Sequence, residues 1–218
     1  MLDLVFPPKC VCGKWGTLLC DRCFRLIDFK ATQTCPICRK ISENGKTCRS
    51  CRSRSQLTGV MIFGEHKGVI KKMIWEYKYG FIKELADPLS EIICLKFKKF
   101  IEEKKPILTF VPASKKRMKW RGFNQSELLA LEIGKRSRLE VVCLLSKDND
   151  SKSQVGLSRK ERLKNMKGKF SFTGSRVKNK RVIIIDDVYT SGATLEECAL
   201  ILRKNGFREV YGLVLTRD

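Results

Sequence analysis

Residues Arg181 to Thr194 read Arg-Val-Ile-Ile-Ile-Asp-Asp-Val-Tyr-Thr-Ser-Gly-Ala-Thr. The β-branched run Val182 to Ile185 is too apolar for a strand with one wet face and too short for a membrane span. It belongs in the centre of a parallel sheet flanked by helices, so the predicted class is α/β. The strand is expected to end at Asp186 and Asp187, two acids able to accept hydrogen bonds from vicinal hydroxyls. The amides of Thr190 to Thr194, opening a helix predicted through Leu202, would face a phosphate with the helix dipole behind them. Gly192 lets the backbone come close. The segment therefore reads as a site for a phosphorylated ribose. In a plainer reading Thr190 or Ser191 only caps the helix, but a cap needs one such residue, not an acid pair with several small or hydroxylic neighbours.

This stretch resembles the fingerprint of type I phosphoribosyltransferases, which bind 5-phosphoribosyl-1-pyrophosphate (PRPP). The resemblance implies that Asp186 and Asp187 hold the ribose hydroxyls. It also implies that Thr190, Ser191, Gly192, Ala193 and Thr194 wrap the 5'-phosphate, with Val188 and Tyr189 in the same binding segment.

Eight of the 11 cysteines lie between positions 10 and 51, as Cys10-x-Cys12, Cys20-x2-Cys23, Cys35-x2-Cys38 and Cys48-x2-Cys51. The amino terminus lacks a basic stretch followed by a long apolar one, so no signal peptide is predicted. A cytoplasmic, reducing compartment follows, where clustered cysteines are metal thiolates rather than disulfides. Sequential use gives two four-thiolate zinc sites, Cys10, Cys12, Cys20 and Cys23, then Cys35, Cys38, Cys48 and Cys51. The second has knuckle spacing in both pairs and a turn stiffened by Pro36, whereas Cys10-x-Cys12 has a shorter bite. A cross-braced pairing, a degraded first site and an iron–sulfur cluster are the alternatives. Closed four-thiolate sites leave no position for chemistry, so the module reads as structural, with metal binding supplying its folding free energy. Cys94, Cys143 and Cys198 stand in apolar surroundings and are expected to be buried structural thiols. The single His66 reads as a turn residue.

The 218 residues carry 45 Lys and Arg against 23 Asp and Glu, a formal net charge of +22. The excess is +7 over residues 1–58 and +15 over the remainder, so it is distributed and not a tail. Such a field favours polyanions, either nucleic acid or phosphorylated metabolites, although solvated lysine faces account for it equally well.

Two modules are predicted, a thiolate ribbon over 1–56 and a sugar-phosphate domain over 57–218. Within the second, Gly59 to Phe63 reads as an edge strand, and Val69 to about Lys104 as two or three helices on one sheet face, broken near Tyr79-Gly80 and at Pro88. Ile107 to Val111 reads as a strand that gives way to a loop, Pro112-Ala113-Ser114-Lys115-Lys116-Arg117. Small residues and three cations at a strand's carboxyl end suit a pyrophosphate. An amphipathic helix follows over Ser126 to Lys135. In Ser153 to Arg162, with an N-cap at Ser158, Arg159 and Arg162 stand one turn apart and would close over the site.

The cysteine pairs, the Val-Pro-Ala-Ser loop, Arg121-Gly122-Phe123-Asn124-Gln125, Gln154 with Ser158, Arg159 and Arg162, then Asn165 and Phe170, and the Asp186-Asp187 fingerprint together resemble the ComF family. That resemblance implies a part in natural DNA uptake and a PRPP-binding, phosphoribosyltransferase-like domain after a double zinc ribbon. It implies Mg²⁺ accompanying PRPP, and other DNA-uptake proteins as partners. As an enzyme the chain would displace pyrophosphate from PRPP, with Asp186, Asp187, Arg159 and Arg162 as the catalytic candidates and Ala113 to Lys116 at the leaving group. As a binding protein it would hold PRPP and single-stranded DNA. Aromatics among cations in Lys72-Met-Ile-Trp-Glu-Tyr-Lys-Tyr79 and Lys116-Arg-Met-Lys-Trp-Arg121 suit stacking on bases. The plainer reading packs Trp75, Tyr77 and Trp120 in the core.

Overall fold

The computed structural model describes residues 7–29, 31–147, 168–174 and 181–217. Its centre is a wholly parallel sheet of four strands in the order β1-β6-β5-β2: β1 (Gly59–Glu65), β2 (Ile107–Phe110), β5 (Arg181–Tyr189) and β6 (Glu209–Arg217). A separate antiparallel pair, β3 (Leu145–Lys147) and β4 (Phe170–Phe172), lies beside it. The expected α/β class is what the chain adopts.

The apolar run explains the layering. Val182 to Ile185 have no exposed surface, and successive side chains alternate between faces. Ile183 and Ile185 face a core built with α2 (Gly68–Tyr79), α3 (Ala86–Lys104) and α5 (Gln125–Ser137). Val182 and Ile184 face the other core, filled by Leu195, Cys198, Ala199 and Leu202 of α6 (Ala193–Lys204).

Three expectations about this framework are corrected. Pro88 does not break a helix; it sits in the first turn of α3, where the missing N–H has no intrahelical acceptor to lose. The segment after β2 is not a loop through Arg117, because Ser114 caps α4 (Lys115–Arg121), its Oγ accepting from the Arg117 amide at 3.3 Å. Cys143 is exposed and Cys94 half-buried, while Cys198 is buried as expected. The neighbours Leu144 and Leu145 take the inward positions beside Cys143.

The thiolate segment, which includes the short α1 (Asp21–Arg25), packs onto the sheet and helices that follow. Phe24 and Phe29 are 5.7 Å apart, Phe29 meets Phe63 of β1 edge-on at 5.3 Å, and Ile27 is buried in the same core. The Gln33 side chain acts as a one-residue strand on the free edge of β1, donating to Ile62 O at 2.7 Å and accepting from Ile62 N at 3.0 Å. Gly45 can only be glycine: at φ +65° a Cβ would stand 1.9 Å from the Val60 carbonyl oxygen. No helix among the described residues is long and apolar enough to cross a membrane.

Candidate sugar-phosphate site and thiolate centres

The cleft is made by a mismatch in strand pairing. Against β2, β5 pairs only as far as Ile185, opposite Phe110; against β6 it continues to Tyr189, opposite Arg217. The strand therefore does not end before the acids, as the sequence suggested, but carries them along an edge that β2 has vacated. Val111 donates to Ile185 O at 3.0 Å and the chain then turns away through Pro112 and Ala113 into α4.

Asp186 Oδ1 accepts from Ser126 Oγ at 3.0 Å and from the Asp187 amide at 2.9 Å. Burial first, and then the charge of Asp187, push the Asp186 carboxyl up to about 7; the Asp187 amide, Lys78 and Ser126 pull the other way. Asp187 Oδ1 lies 2.9 Å from Lys78 Nζ on α2. Ser126 is positioned by Asn124, whose Oδ1 accepts from the Ser126 amide at 3.1 Å and whose Nδ2 donates to Val111 O at 3.1 Å. Asn124 thus ties the loop after β2 to the cap of α5. Tyr77, with no exposed surface, donates to Gln125 O at 2.8 Å and completes this support. The Arg121-to-Gln125 motif is a scaffold for the acids.

Lys78, Ser126 and Asn124 are the site residues that sequence reasoning missed as such. The signal that could have found Asn124 is its place just ahead of an apolar-periodic helix, where an Asn is a natural N-cap, the role it takes in the structure. Nothing local marked Lys78, whose partner comes from another layer.

Beyond the acids the chain turns through Thr190, Ser191 and Gly192, the last at φ +80°, into α6. Ser191 Oγ accepts from the Ala193 amide at 3.3 Å, and Thr194 follows in the first helical turn, where amides lack intrahelical partners. Val188 packs partly into the helix-side core. The Tyr189 side chain is buried beneath the turn at Gly192: it is 2 % exposed, its hydroxyl donates to Pro36 O at 3.4 Å, and Arg217 lies 5.4 Å from its ring centroid. Tyr189 can serve a ligand only through its backbone. Lys115, Lys116 and Arg117 are exposed on α4. Gln154, Ser158, Arg159, Arg162 and Asn165 lie outside the described residues.

The eight paired cysteines form two separate tetrads, Cys10, Cys12, Cys20, Cys23 and Cys35, Cys38, Cys48, Cys51, with the sulfurs of each within 4.8 Å of one another. The grouping is sequential, not cross-braced, and the short Cys10-x-Cys12 pair closes its set as the longer ones do. Cys12 and Cys20 sulfurs are 3.7 Å apart, and those of Cys38 and Cys48 3.6 Å. Tetrahedral zinc with sulfurs at ~2.3 Å needs edges of about 3.8 Å, so both donor sets fit that metal. The Arg54 guanidinium donates to Cys51 Sγ at 3.1 Å and the Cys20 amide lies 3.4 Å from Cys10 Sγ, contacts that suit thiolates.

No family model matches the chain. It is 25% identical over 179 residues to "Competence protein ComFC" of Bacillus subtilis, covering 79% of this chain and 72% of the relative. It is 26% identical over 216 residues to "DNA utilization protein YhgH" of Escherichia coli K12, covering 94% and 92%. Among solved structures it resembles a purine phosphoribosyltransferase from Pyrococcus horikoshii, at 17% identity over 60% of this chain and 83% of that one, with a TM-score of 0.37. A structural likeness of that size carries no argument about chemistry.

Proposed function

We propose that this chain, which belongs to the ComF family by relatives spanning most of its length, is a PRPP-binding, phosphoribosyltransferase-like protein that acts in natural competence and binds single-stranded DNA. The observation that carries the ligand is the acid pair on the vacated edge of β5, followed at once by a glycine turn into a helix. Asp186 and Asp187 accept from the ribose hydroxyls, the turn and the first amides of α6 hold the 5'-phosphate, and Lys115 and Lys116 meet the pyrophosphate from α4. Mg²⁺ bound with PRPP supplies charge neutralisation at the pyrophosphate. The DNA role comes from the names of the relatives and from the net charge of +22. Titration calorimetry with PRPP and Mg²⁺ tests the pocket. Absence of heat from the folded, zinc-loaded chain would remove it.

A catalytic reading is favoured by the placement of Asp186 on the edge of β5 that β2 leaves unpaired, where burial and the charge of Asp187 raise its carboxyl to about 7. In that reaction the bond from the anomeric carbon to pyrophosphate oxygen breaks, a bond to an acceptor atom forms, pyrophosphate departs, and Asp186 takes the acceptor's proton. Pyrophosphate release that requires a candidate acceptor separates this reading from simple binding, and its loss in Asp186→Asn at PRPP concentrations that still saturate the variant assigns the proton transfer to Asp186.

A further inference from the structure

Four large rings stand in water on one side of the sugar-phosphate cleft. Trp75 is 55 % exposed, Tyr79 52 %, Phe81 42 % and Trp120 57 %. They form a row, not a scatter: ring centroids are 6.0 Å apart from Trp75 to Tyr79, 6.3 Å from Tyr79 to Trp120 and 5.0 Å from Trp120 to Phe81. The row crosses from α2, through the turn after it, to α4. Isolated exposed rings need no explanation, but a contiguous aromatic patch on a soluble surface marks a contact.

The helix that carries Trp120 has no packing reason to exist as written. No residue of α4, Lys-Lys-Arg-Met-Lys-Trp-Arg, is buried. Its position is fixed at its ends, by the Ser114 cap and by Gly122 at φ +81°, so it is a rigid display of side chains rather than part of the core. Around the row stand Lys72, Lys83, Lys115, Lys116, Arg117 and Lys119, all exposed, and none forms an ion pair among the described residues. The Arg121 guanidinium is held 5.9 Å from the Tyr79 ring centroid and 5.4 Å from that of Trp120, with Nε buried and unpartnered. Tyr79 follows Lys78, the residue that holds Asp187, so the row passes close to the cleft at its second ring.

Flat faces interleaved with free cations match a ligand that repeats one planar ring and one negative charge. An unpaired nucleic-acid strand has that repeat, with bases for the rings and phosphates for the lysines. We propose that the row Trp75, Tyr79, Trp120 and Phe81 is the platform on which unpaired bases of a single strand stack, with Arg117 and Lys119 of α4 on its phosphates. The platform adjoins the PRPP cleft. This rests on the single-strand reading above and adds where the strand lies.

The experiment is fluorescence anisotropy of a labelled oligothymidine with the full, zinc-loaded chain at low salt. Each stacked base contributes ~1–3 kcal/mol, so Trp120→Ala should weaken binding roughly 5- to 150-fold and adding Tyr79→Ala should weaken it further. Trp120→Phe, which keeps a ring, should recover most of the loss. Lys98→Ala with Lys99→Ala, removing two exposed cations of α3, should cost much less. Because the replaced rings are more than half exposed, PRPP titration should be unchanged in every variant. Tight wild-type binding that all these variants retain would overturn the platform and leave strand binding standing. No wild-type binding would overturn both. Wild-type affinity for phosphatidylglycerol vesicles exceeding that for the strand, with the same loss in Trp120→Ala, would overturn the platform by assigning the rings to a lipid surface.

Discussion

Lys78 Nζ sits 2.9 Å from Asp187 Oδ1, and each side chain keeps less than a fifth of its surface in water. The pair joins α2 to β5 and places one cation beside two adjacent acids. Removing one member of such a pair leaves a largely desolvated charge without its partner, which costs far more than an exposed bridge would contribute.

Lys78→Met should therefore destabilise the chain by roughly 2–4 kcal/mol, and Asp187→Asn should remove part of that penalty when combined with it. Urea unfolding of the two single variants and the double variant checks the coupling. Strictly additive losses would mean that the contact contributes nothing.

Asp186 gives the site a pH dependence of definite sign. Its carboxyl is raised to about 7 by burial and by Asp187, so the folded state holds a proton that the unfolded chain releases near pH 4. The stability this contributes is complete below pH ~4 and is lost as pH rises through about 7. Ligand affinity runs the other way, since ribose hydroxyls need an accepting carboxylate. Affinity for PRPP with Mg²⁺ should climb between pH 6 and 8, by up to about tenfold per unit below the Asp186 pKa. Asp186→Asn should flatten that part of the profile, leaving only the titration of the ligand's own phosphates. An equally steep profile in the variant would assign the dependence to the ligand alone.

What the sequence made legible was what local physics dictates. The β-branched run specified a central parallel strand, and the cysteine spacing specified two tetrads, because both signals lie within a few residues of each other. The strand's length was misjudged because Asp186 and Asp187 look like a terminus, and only pairing with β6 carries β5 on to Tyr189. Helix α4 was missed for a related reason: without an apolar stripe it has no periodicity to detect, and only its caps specify it. The aromatic segments divided. Tyr77 is buried as the plainer reading had it, whereas Trp75 and Trp120 stay in solvent. Lys78 and Ser126 became part of the site only when other layers were packed against β5.

Gly192 should tolerate no side chain. At φ +80° an L-residue pays roughly 1–2 kcal/mol of backbone strain, and a Cβ there would lie 2.4 Å from the Tyr189 hydroxyl. Gly192→Ala should lower the melting temperature by several degrees and weaken PRPP binding at least tenfold, since the loop must move to make room. Wild-type affinity in this variant would show that the turn does not hold the phosphate.

The two thiolate centres should differ in what their loss does to the cleft. Elemental analysis of reductively purified protein should find two zinc ions per chain, as both tetrads have the sulfur spacing that zinc requires. The second centre is wired to the ligand loop: Pro36, between Cys35 and Cys38, accepts from the Tyr189 hydroxyl, and Arg217, over the Tyr189 ring, donates to Thr34 Oγ1 at 2.7 Å. Tyr189 in turn underlies Gly192. The first tetrad instead packs with Val11, Leu19 and Val69, next to the start of α2. Cys38→Ser should release one ion and weaken PRPP binding about fivefold or more, the equivalent of losing one hydrogen bond of ~1 kcal/mol. Cys12→Ser should release the other ion with a smaller effect on PRPP, though with a comparable loss of thermal stability. Equal effects of the two variants on PRPP affinity would show that zinc supports the fold as a whole and does not seat the phosphate loop through Tyr189.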